Sequence, residues 1–177
     1  MGQTVAFDKP RRYKEFYVAE ALLFKEDRNT LYLRAQGHIT ASLCADLRTL
    51  VFSRLETTPR IESMYVDLSA CDYMDSTFMG LLVGFNKRLV KAAGKKLAIV
   101  KPSVTALELL EGLGITTLVD VVDDTVDFPP EMKNILKTQD TGPDLLLRTH
   151  ENLMELSEEN RKKFSILHSL LKNQEKK

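Results

Sequence analysis

Met-Tyr-Val-Asp-Leu-Ser-Ala-Cys-Asp-Tyr-Met-Asp-Ser-Thr-Phe-Met-Gly-Leu-Leu-Val, running from Met64 to Val83, is the stretch that decides how this chain folds. Met64 to Leu68 is an apolar run of strand length, the next residues predict a short polar loop, and Asp75-Ser76-Thr77 predicts the start of a helix. A hydroxyl on the first turn of a helix lies among backbone N–H groups that lack internal partners, at the end of the dipole that favours negative charge. The plain reading is a helix cap, because Asp, Ser and Thr are the commonest residues there; Asp75 is then the N-cap and Thr77 a helix-start residue. The same position suits a phosphate that changes what the surface binds.

Working outward, the helix opened at Ser76 is predicted to run to about Ala93, with Phe78, Leu81, Leu82, Phe85, Leu89 and Val90 as its apolar face. Gly80 and Gly84 lie one turn apart, and each lowers helix propensity by about 1 kcal/mol, so a close packing on the sheet is expected to require them. Asn86, Lys87, Arg88 and Lys91 are expected to point outward. Upstream, Phe16 to Phe24 and Thr30 to Ala35 read as strands around a turn at Glu26-Asp27-Arg28-Asn29. Thr40 or Ser42 caps a helix striped with Leu43, Leu47, Leu50, Val51 and Leu55 and stopped at Pro59. Downstream, Leu97 to Val100 and Leu118 to Val122 read as strands. They flank a short helix with a capping-box pattern at Thr105 to Glu108, and Pro129-Pro130 opens a further helix with Met132, Ile135 and Leu136 inward. Strands alternating with helices, after an initial hairpin, predict an α/β fold with a mixed sheet of about five strands and packed helices.

These residues resemble the anti-sigma factor antagonists of the STAS family, whose strand ends in Asp-Leu-Ser, as at Asp67-Leu68-Ser69, before Asp-Ser-Ser/Thr-Gly-Leu-Gly opens a helix. Gly37-His38-Ile39-Thr40, Lys101-Pro102-Ser103 and Leu109 to Ile115 extend the likeness over roughly residues 15 to 138. The sequence departs from the pattern at Phe78, where the family has its first glycine, at Met79 in place of leucine, and near Thr40, where an acidic residue is common. The resemblance implies a STAS-like fold and a non-enzymatic, cytoplasmic, bacterial binding switch without a cofactor. Unmodified, the surface of Thr40, Asp75, Ser76, Thr77, Phe78 and Met79 would bind a kinase-like anti-sigma factor and so free a sigma subunit. That serine kinase would then phosphorylate Ser76 and release it, and a PP2C-type phosphatase would reset the cycle. The alternative on the same fold is an unphosphorylated STAS scaffold or adaptor in a signalling or lipid-transport complex, with Ser76 only a cap.

The expected organisation is an N-terminal arm (1–14), the STAS domain (15–138), a linker (139–143) and a helical extension (144–177). In the extension, Leu146, Leu153, Leu156, Phe164, Leu167 and Leu171 form a stripe, and Ser157-Glu158-Glu159 offers a cap that would divide it into a helical hairpin. A helix this polar is marginal alone, so the stripe must find a surface, on its own domain or on a second copy as a homodimer.

Composition narrows the functional classes. Among 177 residues Lys+Arg and Asp+Glu both number 25, which argues against nucleic acid as a partner, and no run approaches the length of a membrane span. Cys44 and Cys71 lack metal-ligand spacing and read as reduced thiols; His38, His150 and His168 are dispersed, with no triad pattern. A receiver-type phosphoacceptor at Asp67, suggested by Lys101-Pro102, lacks the acidic pair that would hold Mg²⁺, and a hydrolase lacks a paired nucleophile and base.

Overall fold

The computed structural model describes residues 19–175. The arm predicted for residues 1–14 and the start of the first predicted strand at Phe16 lie outside these residues. The chain builds one sheet in the order β5 (Asp120–Val122), β4 (Ala98–Val100), β3 (Ser63–Met74), β2 (Thr30–Ile39), β1 (Ala21–Asp27) and β6 (Lys133–Asn134). Its first hairpin joins β1 (Ala21–Asp27) to β2 (Thr30–Ile39), with Arg28 and Asn29 both at positive φ, as a two-residue turn between twisted strands requires. β2 alternates buried and half-exposed residues, so one face of the hairpin is covered. β3 (Ser63–Met74), β4 (Ala98–Val100) and β5 (Asp120–Val122) then add in parallel. Their crossovers are α1 (Cys44–Glu56), α2 (Ser76–Ala93) and α3 (Val104–Gly112). The fully buried cluster between sheet and helices includes Leu33, Val66, Leu68, Leu47, Phe78, Leu82 and Phe85.

Three local expectations are corrected. The predicted polar loop after Leu68 is strand: β3 continues to Met74 because β2 continues beside it to Ile39. The pairing slips twice, from Arg34↔Asp67 to Gln36↔Ala70 and from Gly37↔Cys71 to His38↔Tyr73, each slip adding one residue to β3. Such bulges break the apolar alternation by which a strand is recognised. The predicted helix after Pro129 is instead β6 (Lys133–Asn134), antiparallel to the edge strand β1, so the sheet has six strands. Ile135 is buried, and its N–H donates to the Leu22 carbonyl at 2.8 Å, whereas Leu136 is 70% exposed. At α3 the capping box is not used. Ser103 is the N-cap, its hydroxyl accepting from the Ala106 N–H at 3.1 Å and donating to the Cys71 carbonyl at 2.5 Å.

The C-terminal stripe divides at Ser157 into α4 (Pro143–Met154) and α5 (Glu158–Glu175), with the Ser157 hydroxyl accepting from the Asn160 N–H at 3.1 Å. The hairpin packs on its own domain, α4 along α2 and α5 along α4. Leu145, Leu153, Phe164 and Leu171 are buried. The stripe residue Leu167 is exposed instead, so a contact with a second copy through α5 is left Ile166, Leu167 and Leu170.

Asp67 ties β3 to β2. Burial works to raise its pKa, but hydrogen bonds from the Ser69 hydroxyl and amide and from Arg34 (2.8 Å) outweigh it and hold the carboxyl below the ordinary 3.8. A depressed native pKa gives stability that is present above the unfolded value and lost as pH falls through the native one. Asp67→Asn is expected to cost about 1–3 kcal/mol near neutrality and to flatten the loss of stability below about pH 4, measured by urea unfolding across pH.

Candidate functional site

Two helix starts meet where β2 and β3 end. Ile39 closes β2 and its carbonyl accepts from the Asp75 N–H at 3.0 Å. Asp75, in extended backbone, is the N-cap of α2. One oxygen of its carboxylate accepts from the Phe78 N–H at 3.0 Å, and the other reaches across to the Ala41 N–H at 2.7 Å. Ala41 opens the 3₁₀ turn (Ala41–Leu43) that leads into α1. The expected caps Thr40 and Ser42 do not fill that role. Their hydroxyls lie 3.1 Å apart and donate to Glu20, from Thr40 at 3.3 Å and from Ser42 at 2.9 Å, while Asp75 supplies the acceptor to the amide.

Ser76 is the first residue of α2 and is half-buried. Its Oγ lies 2.8 Å from Nε2 of His150 on α4. His150 Nδ1 lies 2.7 Å from the Leu146 carbonyl, which can only accept, so Nδ1 carries the proton. On the neutral ring Nε2 is therefore the acceptor and the Ser76 hydroxyl donates to it. The sequence reading dispersed the histidines; the fold brings one of them to the serine. The signal available was the α4 stripe itself, since His150 stands between Leu146 and Leu153 at helical spacing. A serine hydrogen-bonded to an oriented imidazole is also the start of a nucleophile–base pair. Here the imidazole is 2% exposed and meets Phe164 edge-on at 5.2 Å.

The other predicted contact residues are interior. Thr77, Phe78 and Met79 are buried, Phe78 completely. Phe78 shares the sheet-side stripe of α2 with Leu82, Phe85 and Leu89, so the ring that replaces the family glycine fills core and is not on the surface. The glycines are also reassigned. A Cβ on Gly80 would stand 2.2 Å from the Thr149 carbonyl oxygen, and one on Gly84 would stand 3.0 Å from Asn152 Nδ2. The close approach they allow is to α4 and not to the sheet. Asn86, expected outside, is buried and accepts from the Leu97 N–H at 2.9 Å. Burial raises the Cys44 thiol far above its ordinary value and pushes Cys71 up to about 11. Among the described residues no group of His, Cys, Asp and Glu could hold a metal, and no helix is long and apolar enough to cross a membrane.

A sheet of this order, with a capped serine opening the helix after the central strand, defines a STAS-type domain. The chain belongs to the STAS domain family, whose model matches residues 21–128. Among solved structures, the unphosphorylated form of the anti-sigma factor antagonist SpoIIAA shares this fold at 17% identity and a TM-score of 0.50, over 57% of this chain and 87% of that one. An anti-sigma factor antagonist from Mycobacterium paratuberculosis does so at 14% identity and a TM-score of 0.50, over 60% of this chain and 87% of that one. No curated protein matches the chain in sequence. Helices α4 and α5 lie outside the matched residues.

Because one carboxylate serves both helix starts, Asp75→Ala is expected to lower stability by about 1–3 kcal/mol. Asp75→Asn is expected to fall between, since an amide keeps one acceptor and turns a donor toward the other N–H. Urea denaturation followed by circular dichroism measures both.

Proposed function

We propose that the chain is an anti-sigma factor antagonist: a cytoplasmic, non-enzymatic binding switch that engages a kinase-like anti-sigma factor while Ser76 is unmodified and is released once that kinase phosphorylates it. The observation that supports this reading is the placement of Ser76 on the first turn of α2, directly after the capping Asp75 and beside the start of α1. In the transfer, Ser76 Oγ bonds to the γ-phosphorus of ATP as the bond to the β-phosphate oxygen breaks. ADP leaves, and the hydroxyl proton passes to the kinase's own base. A PP2C-type phosphatase hydrolyses the ester to reset the switch.

Electrostatics gives the release its direction. A phosphoserine carries about −1.5 to −2 charge at pH 7, and Asp75 and Asp72 already stand nearby in sequence. A helix start offsets such charge by about 0.3–1 kcal/mol, whereas like charges brought together across an interface cost several kcal/mol. The domain therefore tolerates the phosphate and the complex does not.

The hydrogen bond from Ser76 to His150 favours a second reading, a STAS scaffold whose serine is only structural. One experiment separates them: incubation with ATP and the kinase-like anti-sigma factors of the source organism, with the added phosphate mapped by mass. The switch predicts one phosphate, on the peptide holding Ser76, with Ser76→Ala unlabelled and permanently bound to the kinase and Ser76→Asp bound at least about tenfold more weakly. No label, or equal binding by both variants, supports the scaffold.

A further inference from the structure

We propose that the α4–α5 hairpin is a displaceable lid over the start of α2, and that closure of the lid and modification of Ser76 exclude one another. The use of this lid in signalling rests on the phosphoacceptor reading above; the coupling between residue 76 and the hairpin does not.

The stripe of α2 that faces α4 is Ser76, Gly80 and Gly84, one residue per turn and none with a side chain beyond a hydroxyl. Each meets α4 directly: Ser76 at His150, Gly80 at Thr149, Gly84 at Asn152. Nothing separates the two helices at this seam. Ser76 Oγ is already 2.8 Å from His150 Nε2, so a tetrahedral phosphate on that oxygen needs space that the imidazole occupies. A kinase must also reach the residues flanking the serine, and Thr77 is 4% exposed in the closed form. Lid closed means hydroxyl unmodified; hydroxyl modified means lid open.

The seam is built to part. Its bonds are polar: His150 to Ser76, Asn152 Nδ2 to the Gly80 carbonyl at 3.1 Å, and Lys87 to Asn152 and Glu155. Water replaces such partners on opening, so each contributes little net stability, and an exposed ion pair such as Lys87–Glu155 less still. The opposite face of α2, with Phe78, Leu82 and Phe85 completely buried, has no such substitute. The segment between Asn134 and Pro143 has no helix or strand and is pinned to the start of α1, with Thr138 and Gln139 donating to Asp46 and Thr141 to the Ala41 carbonyl, so the hairpin opens about a fixed point. Its apolar anchors, Leu145, Leu153 and Phe164, are what hold it shut.

Coupling of this kind is reciprocal: whatever favours the open lid favours a changed residue 76, and the reverse. The test is hydrogen exchange by mass spectrometry on the full chain, comparing the wild type with Gly80→Ala and Ser76→Glu. The first puts a methyl group against the Thr149 backbone, the second a carboxylate against His150. The lid predicts that peptides of α4 and α5 exchange about tenfold faster or more in both variants while β2, β3 and α1 keep wild-type rates. If Gly80→Ala does not fold, His150→Ala replaces it, with the same selective loosening expected. Wild-type rates in the hairpin, loosening of sheet and hairpin together, or slower exchange in Ser76→Glu, as a carboxylate–imidazolium pair would give, overturns the proposal. The readout needs no kinase. A hairpin that opens in a chain whose Ser76 never takes phosphate leaves the lid standing and removes the phosphoacceptor reading, and the opposite pair of results does the reverse.

Discussion

The carboxylate of Asp75 holds together the part of the molecule on which the site depends. Two parallel strands end side by side, and a helix begins after each. A helix start presents several N–H groups with no partner inside the helix. Asp75 gives one oxygen to the Phe78 amide of its own helix and the other to the Ala41 amide of the neighbouring start. The Ile39 carbonyl receives the Asp75 N–H, which closes the junction from the strand side. With that turn fixed, the Cα–Cβ bond of Ser76 is fixed in direction, and the hydrogen bond to His150 selects the position of its hydroxyl.

Helix α2 is apolar on the face that meets the sheet and small on the face that meets α4. A helix covered on both faces must satisfy two packing distances at once. Large rings and leucines fill the wider gap to the sheet. Serine and glycines set the narrow one, where the Thr149 carbonyl comes within reach of where a Cβ on Gly80 would be. Close approach gives α4 backbone and side-chain polar partners on α2 beside the apolar anchors Leu145 and Leu153. The covering of Ser76 and the choice of glycine one and two turns later are therefore the same fact.

Much of the local chemistry was legible in the sequence and non-local pairing was not, although the caps expected at Thr40 or Ser42 and at Thr105 to Glu108 gave way to Asp75 and Ser103. The cap at Asp75, the hairpin turn at Arg28-Asn29, the stripe of α1 and the division of the tail at Ser157 each depend on residues within a few positions of one another. The run Ser69 to Tyr73 read as a loop because two bulges scatter its apolar residues, and only the presence of β2 beside it makes it strand. Met132, Ile135 and Leu136 imitate helical spacing, yet Lys133 and Asn134 pair with an edge strand far away in the chain. Phe78 and Met79 were expected at least partly at the surface, and Gly80 and Gly84 against the sheet, because nothing in residues 64–83 announces that α4 arrives from beyond residue 143. His150 was invisible as a partner for Ser76 for the same reason.

The family and the fold place the chain among STAS domains; what it does with Ser76 is the proposal, and its physical core is that one stripe of α2 serves the chain's own hairpin and an outside protein in turn. The most direct measurement is a hydrogen-exchange footprint of the wild-type chain with and without the kinase-like partner that labels it. The account predicts new protection at Thr40 to Ala41 and at the first two turns of α2, together with faster exchange in α4 and α5 in the same complex. Protection on another face, with the hairpin as slow as in the free chain, would contradict it.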